Sequence, residues 1–224
     1  CSRCGGASRR QTEASKDPRE LGTRVHAALE ACDLDALAEL ESEWGSPHFK
    51  ALPVQEWARK NLLGAGERDE WNELAFEVPI EGGETLVGSL DRLVRDAEGN
   101  YRILDYKVLQ KFKSEEKLLD RYRAQLWIYA WAIGRLEPEA LGRVSAALLA
   151  ISPQGVSEVE VAIPAPSELG LWIQDRHEAA RAIVAGRPGL PWPAAEKCGT
   201  CEFLSICSEG RAVLEEPRRS IPSG

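Results

Sequence analysis

The chain has 224 residues, of which 43% are hydrophobic and 29% are charged, and its formal net charge is −8. This composition is that of a globular protein with one sizeable hydrophobic core, and the negative charge argues against a basic nucleic-acid coat protein. The longest apolar stretch, residues 126–133, is far shorter than the roughly 20 residues that a membrane span needs, and no cleavable signal sequence opens the chain. We therefore expect a cytoplasmic protein without a membrane partner. Methionine is absent even at position 1, so we expect the numbering to begin inside a longer chain.

The first predicted helix carries a candidate metal ligand. Residues 1–16 are polar and irregular, and a helix is predicted to follow, with Asp17 as N-cap, Pro18 at its first position and an end near residue 31. Gly22 and His26 are four residues apart and share one face. A mid-helix Gly costs about 1 kcal/mol relative to Ala, so we expect close packing at Gly22. His26 is then directed towards the sheet as a ligand, or else it is an ordinary surface or core histidine.

A β-hairpin is predicted from residues 86–95 and 101–108. Apolar residues dominate both arms, and the loop between them holds a Gly and an Asn, which tolerate positive φ. Residues 73–80 alternate well enough to form the preceding strand. If Arg95 and Tyr101 face each other at the loop, the register of the whole hairpin follows.

That register brings two carboxylates face to face. Asp91 lies opposite Asp105, and Lys107 shares the face of Asp105 because side chains alternate along a strand. Opposed carboxylates about 5 Å apart destabilise a sheet unless something compensates, and a hard cation such as Mg²⁺ takes carboxylate ligands. Lys107 could stabilise charge on an attacked phosphate or orient the attacking water. The alternative is a solvated sheet face, because Asp-x-Lys is expected about once by chance in a chain of this length.

The remaining elements complete a mixed α/β pattern. They are helices at 34–44, 54–62, 114–136 and 166–185 and strands at 144–151 and 156–163. The two helices before the hairpin form an insert at about 33–66. Arg121, Gln125 and Tyr129 form a polar stripe on the long helix. The order of helix, three strands, helix, two strands and helix predicts a mixed central sheet flanked by helices.

Positive charge is concentrated directly around and after the hairpin. Residues 101–125 include seven basic and four acidic side chains. A positive stripe beside a metal site suits a phosphate backbone, so Lys111, Lys113 and Arg121 are candidate DNA-binding residues. A run of this kind is also typical of a solvated helix face.

Three cysteines near the C-terminus have the spacing of metal ligands. Six cysteines without a secretory signal favour reduced thiols and metal ligation over disulfides. Cys198, Cys201 and Cys207 lie within ten residues, after the proline-rich linker 187–196, in a segment too short to form its own core.

The fourth cysteine ligand should come from elsewhere, with Cys4 or Cys1 as the natural supplier, because Cys32 lies in an apolar helical context. Two metals fit. A [4Fe–4S] cluster would use four thiolates, whereas structural Zn²⁺ would use the two Cys-x2-Cys pairs, Cys1 with Cys4 and Cys198 with Cys201. In either case we expect the metal to tie the two ends of the domain together as a structural clasp.

Taken together, these motifs resemble those of the RecB-type PD-(D/E)XK nucleases, including the AddB-like and CRISPR-adaptation exonucleases that carry an iron–sulfur clasp. Residues 22–26 match G-T-x-x-H, 88–91 match G-x-x-D, 105–107 match D-x-K, 125–129 match Q-x-x-x-Y, and 198–207 match C-x2-C-x5-C. The motifs follow one another in family order through nearly the whole chain. Leu90 replaces the nominal proline before the first Asp, as is usual in the RecB subgroup.

The resemblance implies a role for each matching residue. His26, Asp91, Asp105 and the main-chain carbonyl of Tyr106 would hold Mg²⁺ or Mn²⁺. Lys107 would be catalytic, with Asp91 and Asp105. Gln125 and Tyr129 would assist at the site or contact DNA. The resemblance also favours a [4Fe–4S] cluster on Cys4, Cys198, Cys201 and Cys207 over zinc, with Cys4 chosen over Cys1 because its context is similar to the Cys-Pro-x-Ser variants of phage-type members.

The implied fold is a restriction-endonuclease-like α/β domain with a helical insert and a C-terminal cysteine clasp. We expect residues 1–16 to supply a cluster cysteine, 17–186 to form the nuclease core, and 187–224 to hold the linker, cluster segment and tail. The implied function is a divalent-metal-dependent DNA exonuclease on single-stranded or frayed ends. One alternative is a non-catalytic nuclease-like module that binds DNA within a helicase–nuclease complex, with a helicase subunit or domain as partner. Another is a zinc-ribbon interaction protein.

Overall fold

The computed structural model describes residues 17–63, 68–185, 211–212 and 214. Its elements are α1 (Pro18–Glu30), α2 (Leu34–Trp44), α3 (Ala51–Ala58), a π-helical turn (Arg59–Leu63), β1 (Asp69–Pro79), β2 (Thr85–Arg95), β3 (Tyr101–Val108), α4 (Glu115–Leu136), a 3₁₀ turn (Pro138–Ala140), β4 (Val144–Ser152), β5 (Gly155–Val161) and α5 (Pro166–Val184). The chain divides into two compact units, Cys1–Gly170 and Leu171–Gly224. The first contains the whole sheet, and the described part of the second is mainly the remainder of α5.

The sheet has five strands in the order β1-β2-β3-β4-β5. All neighbouring pairs are antiparallel except β3 and β4, which are parallel. A parallel pair needs a crossover connection, and α4 supplies it. The predicted mixed α/β sheet flanked by helices is confirmed. Within the described ranges, no helix has both the length and the apolar composition that crossing a membrane requires.

Helices cover both faces of the sheet, which explains the composition of β4. On one face, Leu126 and Ile133 of α4 pack with Ile103 and other strand residues. On the other face, α1, α2 and α3 pack against Leu104 and Tyr106. Residues 146–151 of β4 are fully buried, as expected for a strand covered on both sides. The helices of the insert therefore cover one side of the core together with α1.

Side chains cap the starts of α1 and α4, and the cap of α1 is the predicted Asp17. The Asp17 side chain accepts a hydrogen bond from the Arg19 N–H at 2.9 Å, and Ser114 Oγ accepts one from the Lys117 N–H at 3.3 Å. Each cap satisfies a backbone donor that the first helical turn leaves unpaired. The second helix of the insert is less regular than the predicted helix at 54–62. The α-helix α3 runs from Ala51 to Ala58, and the chain continues as a π-helical turn from Arg59 to Leu63.

Strand β1 begins four residues before the predicted position. Its extension, residues 69–72, is polar apart from Trp71 and shows no apolar alternation, yet it pairs with β2 from Asp69 opposite Arg95 onwards. Arg95 Nε donates to Asp69 at 3.0 Å, and Glu70 forms an ion pair with the fully buried Arg92. Cross-strand ion pairs of this kind stabilise a strand that hydrophobic periodicity does not reveal.

Candidate active site

The candidate site lies where β2 separates from β3. The ladder runs from Arg95 opposite Tyr101 to Arg92 opposite Leu104, which confirms the predicted hairpin register. One step further, this register would pair Asp91 with Asp105, but the ladder ends before that pair, although β2 continues to pair with β1 as far as Thr85. The two strands therefore diverge at the two carboxylates.

Where the two strands separate, the Asp91 side chain bridges between β2 and its neighbours. Its Oδ2 accepts a hydrogen bond from the Tyr106 N–H at 2.6 Å, so a carboxylate replaces the strand carbonyl as the acceptor. Oδ2 also lies 3.5 Å from His26 Nδ1 of α1. The His26 ring is held edge-on against the Tyr106 ring, with the centroids 5.6 Å apart. Thus β2, β3 and α1 meet at Asp91.

Asp105 is completely buried beside Lys107. Lys107 Nζ lies 2.6 Å from Asp105 Oδ2, whereas Asp105 Oδ1 has no hydrogen-bond partner among the described residues. Burial raises the pKa of Asp105 to about 6; the ammonium of Lys107 opposes this rise and the charge of Asp91 adds to it. A buried carboxylate with an unpartnered oxygen is costly to keep ionised, and a cation is the ligand that would satisfy it.

Glu73 of β1 is a functional candidate that the sequence did not reveal. Ligand atoms of His26, Glu73 and Asp91 all lie within 4.8 Å of one another. Glu73 falls opposite Asp91, at the position where β1 and β2 skip a pair, and its φ of 44° is in the left-handed region. That backbone costs roughly 1 to 2 kcal/mol for a residue other than Gly. Partial burial raises the pKa of Glu73, as do the charges of Asp91 and Glu30.

Glu73 was missed because the predicted strand began at this residue, so it was never aligned with β2. The sequence signal that could have identified Glu73 was an acidic residue at the start of the predicted strand that precedes β2, the strand of Asp91. Only the β1–β2 register shows that Glu73 lies opposite Asp91, and this register includes the pairs formed by the extension from Asp69.

Helix α4 adds polar and aromatic side chains. Gln125 Nε2 lies 2.6 Å from the Tyr129 hydroxyl oxygen, to which it donates. Burial raises the pKa of Tyr129; the Gln125 hydrogen bond opposes the rise, and the charges of Asp105 and Asp91 add to it. Tyr129 therefore remains protonated at neutral pH and keeps its own O–H available to donate.

The proposed DNA-binding residues are all exposed. Lys111 and Lys113 lie on the segment between β3 and α4. Arg121 lies on α4 with its guanidinium 5.2 Å from the centroid of the Tyr122 ring. Lys107 Nζ lies 4.8 Å from the same centroid, so Arg121 is brought near the Asp105–Lys107 pair through a shared ring.

One packing expectation is wrong, and the cysteine assignment is not tested. A Cβ added to Gly22 would have no atom within 4 Å, so the close packing expected there is wrong. Cys1, Cys4, Cys198, Cys201 and Cys207 lie outside the described residues, so the choice between an iron–sulfur cluster and zinc remains a prediction. Cys32 is a free, partly buried thiol.

The donor set fits a hard divalent cation. Ligand atoms of His26, Glu73 and Asp91 lie within 4.8 Å of one another. Asp105 is not part of that group, but the charges of Asp91 and His26 act on it, and its buried Oδ1 lacks a partner among the described residues. Oxygen donors with several carboxylates are what Mg²⁺ and Mn²⁺ prefer, and imidazole is compatible with Mn²⁺. These residues could therefore hold one cation or two.

A mixed sheet with Asp-x-Lys on a central strand and a second Asp on its antiparallel neighbour defines a restriction-endonuclease-like α/β domain. Comparison with protein families agrees, since the model described as "PD-(D/E)XK nuclease superfamily" matches residues 3–208. The chain belongs to the PD-(D/E)XK nuclease superfamily.

Other comparisons are more distant. A solved structure described as "Crystal structure of SSO0001" is similar, with 17% sequence identity and a TM-score of 0.43 over 85% of this chain and 81% of that chain. A comparison with curated proteins finds no match.

Proposed function

We propose that this protein is a divalent-metal-dependent DNA nuclease that hydrolyses phosphodiester bonds and acts as an exonuclease on single-stranded or frayed ends. The observation that carries the proposal is the fully buried Asp105, which is paired with Lys107 at 2.6 Å and lies within electrostatic reach of Asp91 and His26. Membership of a nuclease superfamily supports the reaction class. The preference for DNA ends rests on the sequence resemblance alone.

The proposed metal ligands are His26, Asp91, Asp105 and the main-chain carbonyl of Tyr106, and we add Glu73. The chemistry that a divalent cation supplies at such a site is activation of water and neutralisation of charge on the phosphate. The protein itself fixes the ligands: the Tyr106 N–H holds Asp91, and the Tyr106 ring holds His26. Ligands fixed on strands and a helix keep their geometry better than ligands on loops.

Lys107 and the α4 residues would act on the phosphate. The Lys107 ammonium stabilises negative charge as it develops on the phosphate oxygens, because it is positioned in advance in a partly desolvated site. Tyr129 accepts a hydrogen bond from Gln125, so its hydroxyl proton is directed away from Gln125 and can be donated to a phosphate oxygen. Lys111, Lys113 and Arg121 would contact the DNA backbone.

The alternative of a non-catalytic scaffold is less well supported. Burying Asp105 next to Asp91 costs stability, as the raised pKa of Asp105 indicates. A module that only binds DNA, with or without a helicase partner, gains nothing from this cost. A metal-dependent enzyme uses the same carboxylates as ligands.

Digestion of end-labelled DNA tests the proposal. The wild-type protein should degrade linear single-stranded DNA with Mg²⁺ or Mn²⁺ and should be inactive in EDTA. Asp105→Ala and Lys107→Ala should each reduce the rate by about 100-fold or more. Lys50→Ala removes an exposed lysine of the helical insert and should leave the rate unchanged. Wild-type rates in both site variants would refute the assignment, and equal cutting of circular single strands would refute the exonuclease mode.

We further propose that Cys4, Cys198, Cys201 and Cys207 hold a [4Fe–4S] cluster, with structural zinc as the alternative. The spacing of the three C-terminal cysteines supports either metal. Anaerobically purified protein should be brown and absorb at about 400 nm, the region typical of thiolate-bound iron–sulfur clusters. A colourless protein that contains zinc would refute the cluster.

A further inference from the structure

Lys107 has a second contact that the proposed ligand set does not explain. Its Nζ lies 2.6 Å from Asp105 Oδ2 and 4.8 Å from the centroid of the half-buried Tyr122 ring. Tyr122 precedes Gln125 by three residues and Tyr129 by seven, so the three side chains lie on one face of α4. The ammonium is therefore held between a carboxylate of β3 and an aromatic ring of the crossover helix.

These two contacts restrain the ammonium in different ways. A lysine side chain is flexible, and its compact ammonium takes no fixed direction from a single partner. The Asp105 ion pair alone would draw Nζ onto the carboxylate. An aromatic ring attracts a cation through its quadrupole, and the attraction is stronger when the cation is desolvated. The Lys107 side chain is only 17% exposed, which satisfies that condition.

The ring contact matters most when the carboxylate is also needed as a metal ligand. A divalent cation on Asp105 would compete with Lys107 for the same oxygens and repel its charge. The Tyr122 ring does not bind a hard cation, so it keeps its hold on the ammonium in either state. On the basis of the proposed function, we propose that Tyr122 is a positioning residue that holds Lys107 in its catalytic location through the face of its ring.

Substitutions at Tyr122 separate the ring from its hydroxyl and from general packing. Tyr122→Leu removes the quadrupole but keeps an apolar side chain, whereas Tyr122→Phe keeps the ring. Trp131→Leu is the matched control, because Trp131 is also an α4 aromatic with a cation nearby, Arg135 at 5.9 Å.

Steady-state kinetics gives the first readout. Tyr122→Leu should lower kcat by about 3- to 30-fold with KM within about twofold, and Tyr122→Phe should restore kcat to within about twofold of wild type. An unchanged kcat in Tyr122→Leu, or an equal loss in Tyr122→Phe or Trp131→Leu, would overturn the proposal.

NMR of ¹³C-lysine-labelled protein in EDTA gives a second readout that needs neither metal nor activity. A ring current should shift the Lys107 Hε resonance upfield in wild type and Tyr122→Phe but not in Tyr122→Leu, with the assignment made from Lys107→Arg. An unshifted wild-type resonance would refute the contact.

Failure of the proposed function has a different signature. If the wild-type protein does not cut DNA, or if Lys107→Ala cuts as well as wild type, Lys107 is not catalytic and the positioning role falls with it. If wild type cuts and Lys107→Ala does not, the effect of Tyr122→Leu alone decides the inference.

Discussion

Changing Asp105 to asparagine should stabilise the metal-free protein at neutral pH. Burial raises the pKa of Asp105 from its ordinary value of 3.8 to about 6. Between these two values the folded protein binds more protons than the unfolded chain, so the free energy of unfolding falls as the pH rises. The loss begins near pH 4 and is complete above about pH 6. The pKa difference corresponds to at most about 3 kcal/mol.

Asparagine has the size of aspartate but no charge to desolvate. We expect Asp105→Asn to raise the free energy of unfolding at pH 7.5 in EDTA by about 1 to 3 kcal/mol. The expected gain is below the limit of about 3 kcal/mol because the amide can place an NH₂ group, a donor, beside the Lys107 ammonium, which is also a donor. Near pH 4 the gain should disappear, since the wild-type carboxyl is then also neutral in the folded state.

Urea unfolding, followed by the fluorescence of the seven tryptophans and repeated from pH 4 to pH 8, measures the gain in the free energy of unfolding and its dependence on pH. Asp120→Asn is the control, because this α4 carboxylate is 62% exposed; its effect should stay within about 0.5 kcal/mol at every pH. A variant no more stable than wild type at pH 7.5, or a gain that persists unchanged at pH 4, would refute the argument that burial of this charge is costly.

Three further substitutions test neighbouring features. Gly22→Ala should raise the free energy of unfolding by about 0.5 to 1 kcal/mol, because the added methyl group meets open space; a loss measured by urea unfolding would contradict this. Glu73→Asn should stabilise the metal-free fold, because Asn tolerates the left-handed backbone, yet weaken Mn²⁺ binding in calorimetry by about tenfold or more; unchanged affinity would exclude Glu73 from the site. Arg92→Met should destabilise the fold by about 1 to 2 kcal/mol, because Glu70 loses its buried partner but keeps its ion pair with Arg68, whereas the exposed Arg123→Met should have little effect in the same urea assay.

Elements with strong local signals were predictable from the sequence. The hairpin register followed from one assumed pair, Arg95 with Tyr101, because a strand has a strict period of two. The start of α1 followed from Asp17 and Pro18. The apolar run at residues 144–151 predicted a strand, and β4 spans Val144–Ser152. In each case a short stretch of chain contained the physical cause.

Features that depend on long-range pairing were not predictable. The polar start of β1 is stabilised by charges on β2, which its own composition does not reveal. The left-handed backbone of Glu73 runs against the preference of that residue, so propensity predicts the opposite. The end of the β2–β3 ladder before Asp91 depends on a side chain that replaces a backbone partner.

The eight-pair ladder between β3 and β4 has a consequence for tolerance to change. It extends over all of β3, from Tyr101 opposite Val144 to Val108 opposite Ile151, including the half of the strand that has separated from β2. A slip by one residue would exchange the positions of Asp105 and Tyr106, and this parallel neighbour prevents it. Insertions or deletions in the β1–β2 hairpin should therefore be absorbed without misaligning the reactive side chains of β3, whereas a single inserted residue in β4 should inactivate the protein even if it still folds.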